Sequence, residues 1–240
     1  MKHTLKLSAF ILGLCAMDGN AYADEGSALE FSANTAIVSD YIFRGITQSD
    51  ENFAIQGGFD VGHESGLYTG VWASSIDFND GDQANVEIDL YAGYAGEANS
   101  VSYDVGGIYY AYPGANSSLN YDFWEIFASL GYDFDVASAS VSVNYSPDYF
   151  GSSDDSLYTH LGVDVPLPQN FTVSGGVGHQ SIDDNASFGV PDYTDWNLTL
   201  GYDWEQFNIS LGYHDTDLDE PSECADGCAA RVVFAVSASF

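Results

Sequence analysis

Acidic side chains and two arginines are the residues of this sequence with the clearest chemical potential. The 240-residue chain carries 36 Asp and Glu but only four Lys and Arg, a formal net charge of −32 at pH 7. Lys2 and Lys6 lie at the N-terminus, which leaves Arg44 and Arg231 for the rest of the chain. Carboxylates around two guanidinium groups could form a charged constriction that selects ions, or a structural ion-pair network. Nucleic acid is excluded as a partner because its phosphates require clustered Lys and Arg.

Cys224 and Cys228 are separated by three residues in an acidic stretch. In an oxidising compartment this spacing predicts a small disulfide loop. A zinc site would need two further ligands, and only the distant His214 is available. No metal site and no cofactor is therefore predicted.

The sequence contains no recognisable catalytic constellation. His160 and His214 fall on predicted inward faces, but neither a G-x-S-x-G nor an H-E-x-x-H motif occurs. The acidic run from Asp215 to Asp219 lacks the Gly that an EF-hand requires at its sixth position, where Glu220 stands. We expect a solvated acidic loop there, and no enzymatic activity.

The N-terminal segment is predicted to be an export signal. Residues 1–23 match a secretory signal peptide, because Lys2 and Lys6 precede the apolar run Leu7–Met17 and Ala21-Tyr22-Ala23 supplies the cleavage pattern. The apolar run is too short to cross a bilayer as a helix, which takes about 20 residues. The mature domain then spans residues 24–240.

Period-two alternation of apolar and polar residues runs through the mature chain. Eight to ten alternating residues exceed the about five or six of an ordinary strand and approach the roughly 9–11 of a tilted membrane crossing. Twelve such segments begin near Leu29, Phe53, Leu67, Val86, Val101, Phe123, Ala139, Leu157, Phe171, Tyr193, Phe207 and Arg231.

The connections between these segments fall into two classes. Those after even-numbered segments are short, whereas those after odd-numbered segments are long and mostly acidic. An even strand number with short turns at one end and long loops at the other is typical of a transmembrane, antiparallel up-and-down β-barrel of the outer membrane. We therefore predict such an all-β barrel with about 12 strands.

The two faces of the segments support a membrane barrel over a soluble sandwich. One face is apolar, with aromatic residues near the segment ends, and the other carries Gly, Ser, Asn, Tyr, Asp and Glu with essentially no Lys. A soluble β protein usually exposes charges that include Lys. The sandwich alternative, in which the aromatic residues are core, leaves the segregated connections unexplained.

Alternation also assigns the charged residues to a lumen. In the first segment Tyr41 and Phe43 are predicted to face lipid, which turns Asp40 and Arg44 inward. Arg231 faces inward on the last segment, which adjoins the first when the barrel closes. The two arginines are therefore predicted to lie close together at the outer mouth. The predicted pore-lining residues are Asp40, Arg44, Asp60, Glu87, Asp89, Asp104, Glu125, Asp164 and Arg231.

Two stretches, Ser39 to Gln48 (SDYIFRGITQ) and Ala54 to Asp60 (AIQGGFD), resemble the opening of the TorF-type porin family of Gram-negative bacteria. The similarity extends through residues 87–94 (EIDLYAGY) to Phe240. The resemblance implies an outer-membrane barrel with a pore-like role, but no substrate and no catalytic residues. The C-terminal Phe240 also resembles the signal read by the outer-membrane barrel-assembly machinery.

The combined prediction is an outer-membrane channel for passive diffusion of small solutes. Its carboxylates should favour cations and repel anions. A narrow open pore is expected, with a plugged lumen as the alternative, since twelve strands fall between filled eight-stranded barrels and wide porins. The expected partners are outer-membrane lipid, lipopolysaccharide and small solutes or ions; the oligomeric state stays open. The alternatives are a structural or adhesive barrel without an open pore and, last, a barrel hydrolase.

Overall fold

Strands account for most of the chain. The computed structural model describes residues 22–23 and 28–240. Most of the predicted signal peptide lies outside these residues; Tyr22–Ala23 forms a two-residue strand paired with Glu30 and Phe31. No helix among the described residues is long and apolar enough to cross a membrane.

Twelve antiparallel strands form a closed barrel. Each pairs with the next, and the last pairs with the first through Ala235 to Ser239 against Val38 to Asn34. The strands are β1 (Leu29–Val38), β2 (Ala54–His63), β3 (Leu67–Ser75), β4 (Val86–Ala98), β5 (Val101–Ala111), β6 (Phe123–Asp133), β7 (Ser138–Ser146), β8 (Ser156–Leu167), β9 (Phe171–Ile182), β10 (Tyr193–Trp204), β11 (Phe207–Thr216) and β12 (Arg231–Ser239).

The predicted twelve-stranded barrel is confirmed, and every strand begins within one residue of its predicted start. Five short turns join the strands at one end, at residues 64–66, 99–100, 134–137, 168–170 and 205–206. Six longer loops lie at the other end, at residues 39–53, 76–85, 112–122, 147–155, 183–192 and 217–230. The last strand closes on the first, so the described barrel has no unpaired edge, which would otherwise promote aggregation.

Burial shows which face of each strand is outside. On β4 the side chain of Leu90 is 53% exposed while Asp89 is 1% exposed, and on β6 the values are 52% for Ile126 and 0% for Glu125. Successive side chains of a strand point to opposite faces, so apolar residues coat the outside and polar residues line the lumen. This inverted arrangement is that of a barrel whose solvent is lipid.

Buried aromatic residues lie inside the barrel near its long-loop end. One cluster contains Tyr41, Trp72, Tyr110, Phe123 and Tyr149 together with other apolar side chains. A second contains Tyr193, Leu218 and the Cys224–Cys228 disulfide. The long-loop end of the barrel is thus packed, in contrast to the open pore expected from the sequence.

Candidate functional site

The first long loop, residues 39–53, folds into the barrel; we call it the inward loop. The chain leaves β1 after Val38 and turns, because the Asp40 carboxylate accepts hydrogen bonds from the Thr47 hydroxyl at 2.5 Å and the Ser49 hydroxyl at 3.0 Å. These bonds draw the two arms of the loop together. As a result Tyr41 and Phe43 pack inside the barrel, so the prediction that they face lipid is wrong.

A small hairpin forms the tip of the inward loop. Ile42–Phe43 pairs with Ile46–Thr47 across Arg44 and Gly45. Both turn residues have positive φ, 48° and 82°, as a two-residue turn between twisted strands requires. A Cβ on Gly45 would collide with the side chains of Thr216 and Asp195. Glycine therefore allows the hairpin to approach the barrel wall at β10 and β11.

Arg44 spans the lumen from the tip of this hairpin. Its guanidinium donates to Glu125 on β6 at 2.7 Å and to Gln180 on β9 at 2.8 Å. These strands lie four positions around the barrel from the strands that the loop joins, β6 from β2 and β9 from β1. The guanidinium also lies 4.4 Å from the ring centroid of Tyr158. The loop thus crosses the pore and is bound to its far wall.

Tyr149, from the fourth long loop, completes the surroundings of Arg44, with its ring centroid 5.9 Å from the guanidinium carbon. Burial raises the pKa of Tyr149, so the ring stays neutral beside the cation. A neutral ring face attracts a guanidinium through its quadrupole. The aromatic contacts hold Arg44 without adding negative charge.

Arg231 anchors the base of the inward loop. It donates to Asp40 at 3.0 Å and lies 3.4 Å from Glu51. Both arginines thus lie toward the long-loop end, but they bind different carboxylates. Arg44, at the tip of the inward loop, binds Glu125, and Arg231 binds Asp40 at the base of the loop. The two arginines therefore hold the tip and the base of the same segment.

Tyrosine hydroxyls supply partners for most lumen carboxylates. The pairs are Tyr41 with Glu87 at 2.7 Å, Tyr68 with Asp104 at 2.8 Å, Tyr110 with Glu125 at 3.2 Å, Tyr158 with Asp195 at 3.0 Å, and Tyr91 with Asp60. A hydroxyl stabilises a carboxylate without neutralising it. The lumen can therefore hold many acidic groups with only two arginines.

The sequence analysis missed Gln180, Asp195 and these tyrosine partners. Tyr91 reaches Asp60 over Gly70 of the strand between them, where a Cβ would collide with the tyrosine ring. Gly178 lies in the same way between Tyr158 and Asp195. The signal is Tyr, Gly and Asp on the inward faces of three successive strands. It becomes visible only when the register between the strands is known.

The predicted pore-lining residues lie at two levels of burial. Asp40, Arg44, Glu87, Asp89, Asp104 and Glu125 are buried, whereas Asp60, Asp164 and Arg231 are half-buried. Asp164 accepts from Ser174 at 2.5 Å. Neither oxygen of Asp89 has a hydrogen-bond partner among the described residues. We call Arg44, Glu87, Asp89, Tyr110, Glu125 and Gln180 the buried layer.

The disulfide loop covers the hairpin of the inward loop. Thr216 donates to the carbonyl of Cys228 at 2.9 Å, and the Gly227 carbonyl accepts from the Thr47 backbone N–H at 2.9 Å. The Cys224–Cys228 loop therefore connects β11 to the inward loop. No group of three or more His, Cys, Asp and Glu in the described part of the chain is arranged to hold a metal ion.

Residues 22–240 match the family model described as "Bacterial protein of unknown function (Gcw_chp)". The chain belongs to the Gcw_chp family. The narrower resemblance to TorF-type porins stays a prediction. No curated protein matches the sequence.

Solved porins share the fold of this Gcw_chp protein. The KdgM porin has a TM-score of 0.59 at 8% identity and covers 87% of this chain and 98% of its own. The NanC porin has a TM-score of 0.56 at 11% identity, with 88% and 98% covered. At this identity the likeness concerns the fold alone.

Proposed function

We propose that this Gcw_chp protein is an outer-membrane, porin-like channel for passive diffusion of small solutes, that it favours cations, and that it is not an enzyme. The observation that carries the proposal is a closed barrel with an apolar exterior and carboxylates buried on its inner side, among them Glu87, Asp89 and Glu125. The shared fold with solved porins supports the channel class.

Tyrosine pairing is the physical basis for the cation preference. Asp60, Asp104 and Asp195 are held by hydroxyl groups, so their negative charge is not cancelled by a basic side chain. Fixed charge of one sign in a low-dielectric wall concentrates the opposite ion. At the loop end, a cavity of about 330 Å³ between the inward loop and two other loops adds Asp50, Asp77 and Asp80 to the same field.

The charge of the lumen also argues against an anionic solute. The KdgM porin has been solved in complex with oligogalacturonate, which is a polyanion. A polyanion would meet the carboxylates of this lumen at close range, and like charges there repel. The shared fold with the KdgM porin therefore does not extend to its ligand in this proposal.

Export and membrane insertion belong to the same proposal. Residues 1–23 act as the signal peptide, and Phe240 is the contact for the barrel-assembly machinery. The apolar outside of the barrel contacts outer-membrane lipid, and the acidic long loops face the lipopolysaccharide side.

The test is the reversal potential of the purified protein in planar bilayers under a KCl gradient. We expect the sign that indicates K⁺ preference. The Asp60→Asn/Asp164→Asn double variant should lower this preference, because both carboxylates are half-buried inside the barrel. The control variant Asp148→Asn, in an exposed part of a long loop, should leave the preference nearly unchanged. A clear Cl⁻ preference of the wild-type protein would refute cation selectivity.

The packed long-loop end favours one alternative, a structural or adhesive barrel. Conductance of the wild-type protein distinguishes the two functions, and a variant that lacks residues 41–48 is the positive control because it removes the segment that crosses the pore. Conductance steps of the wild type support a channel. Silence of the wild type while the variant conducts, with a folded barrel shown by heat-dependent gel mobility, supports the structural alternative.

A further inference from the structure

Asp89 is the exception among the lumen carboxylates. Its side chain is 1% exposed, and neither oxygen has a hydrogen-bond partner among the described residues. The other predicted lumen carboxylates each accept a hydrogen bond from a hydroxyl or an arginine. A buried carboxylate without a partner is unstable as an anion, because it loses water and gains no compensating donor.

The neighbours of Asp89 increase the cost of a negative charge. From the strands, Trp72 and Tyr110 lie at its register positions, and Glu87 and Glu125 repel it. From the loops, the neutral hydroxyls of Tyr41 and Tyr112 lie near Asp89, but neither donates to it. The one cation of the buried layer, Arg44, is held by Glu125 and Gln180. With all groups ionised, three carboxylates would share a single guanidinium.

We propose that Asp89 binds a proton in the closed channel and that this proton keeps the inward loop inside the barrel; the gating role rests on the channel function proposed above. With Asp89 protonated, the buried layer holds two negatively charged carboxylates, Glu87 and Glu125.

The inward loop is coupled to this proton through two contacts. Tyr41 donates to Glu87 at 2.7 Å, and Arg44 binds Glu125 at 2.7 Å. Loss of the Asp89 proton adds a third anion to the buried layer. An ionised buried carboxylate draws in water, and this water competes with both contacts, so the loop is released and the pore opens as pH rises.

Infrared difference spectroscopy tests the proton without reference to conductance. We expect the wild-type protein at neutral pH to show a protonated-carboxyl band that is absent from the Asp89→Asn variant and retained in Asp104→Asn, whose carboxylate has a tyrosine donor. Asparagine matches the shape of the neutral acid, so the barrel should fold. Identical carboxyl bands in wild type and Asp89→Asn would refute the proposal.

Conductance from about pH 6 to about pH 9 tests the coupling, since buried carboxyl groups titrate in this range. Wild-type conductance should rise several-fold across the range, Asp89→Asn should stay low throughout, and Asp148→Asn, in an exposed part of a long loop, should follow the wild type. A pH response that persists in Asp89→Asn refutes the gate. Silence of all proteins with a wild-type carboxyl band refutes the channel function and leaves the proton site established.

Discussion

At the scale of single residues, the buried layer depends on pairs that cannot be separated cheaply. Arg44 and Glu125 have side-chain exposures of 4% and 0% and lie 2.7 Å apart. Removing one member of a buried ion pair leaves an uncompensated charge, which costs about 3–5 kcal/mol. The pair therefore holds the inward loop in place as long as both members are present.

Arg44→Ser should release the inward loop, because it removes the ion pair with Glu125. We expect the inward loop to leave the lumen, because Glu125 would then need water, and we expect several-fold larger single-channel conductance. The Arg44→Ser/Glu125→Gln double variant also removes the isolated charge of Glu125, so its conductance should fall part of the way back to the wild-type value. Unchanged conductance in the single variant would show that Arg44 does not hold the loop in place.

Tyr91→Phe should destabilise the barrel without changing its shape. The hydroxyl of Tyr91 is the donor to Asp60, and a hydrogen bond to a charged group contributes about 1.5–3 kcal/mol. Denaturant unfolding of detergent-solubilised protein measures the change. Tyr132→Phe is the control, because Tyr132 is 44% exposed on the outer face; equal midpoints for the two variants would contradict the role of the Tyr–Asp pair.

At the scale of elements, the inward loop is the segment that converts a plain barrel into a closed one. Its hairpin approaches the wall at Gly45, its base is held by Arg231 through Asp40, and the disulfide loop covers it through Gly227. These contacts come from different strands and loops. The position of the loop is therefore a property of the assembled barrel.

Gly45→Ala should displace the hairpin and raise the conductance. An alanine at a φ of 82° is strained by about 1–3 kcal/mol, and its Cβ would also collide with Thr216 and Asp195. Gly81→Ala is a matched control, because Gly81 has the same φ of 82° but no atom near its Cβ position. If both variants conduct alike, backbone strain alone explains the effect and the close approach at Gly45 does not matter.

At the scale of the whole molecule, 18 of the 36 acidic residues lie in the long loops, and others are buried in the barrel wall. Salt screens these two parts differently. The Debye length falls from about 10 Å at 0.1 M to about 3 Å at 1 M, which affects exposed charges far more than buried ones. The loops and the wall should therefore contribute separately to ion selectivity.

Cation preference should decrease with salt concentration but persist at high salt. At a fixed concentration ratio across the bilayer, we expect the reversal potential to shrink between about 0.1 M and about 1 M as the loop charges are screened. The remainder reports the lumen carboxylates. Complete loss at high salt would assign the selectivity to the loops alone.

The sequence by itself determined the strand number, the strand starts and the two classes of connection. These follow from period-two alternation, which is local and which a buried or lipid-facing surface enforces along every strand. The pattern failed just beyond β1, at Tyr41 and Phe43, because alternation carries no information once the chain leaves the sheet.

Only the tertiary structure decided which residues meet. The crossing of Arg44 to Glu125 depends on how the inward loop folds into the closed barrel, whereas the approach of Tyr91 to Asp60 over Gly70 and the isolation of Asp89 depend on the registers between neighbouring strands. A carboxylate in the sequence looks the same whether a tyrosine, an arginine or nothing stands opposite. The physical reason is that burial and pairing are set by the closed barrel, whereas alternation is set by the single strand.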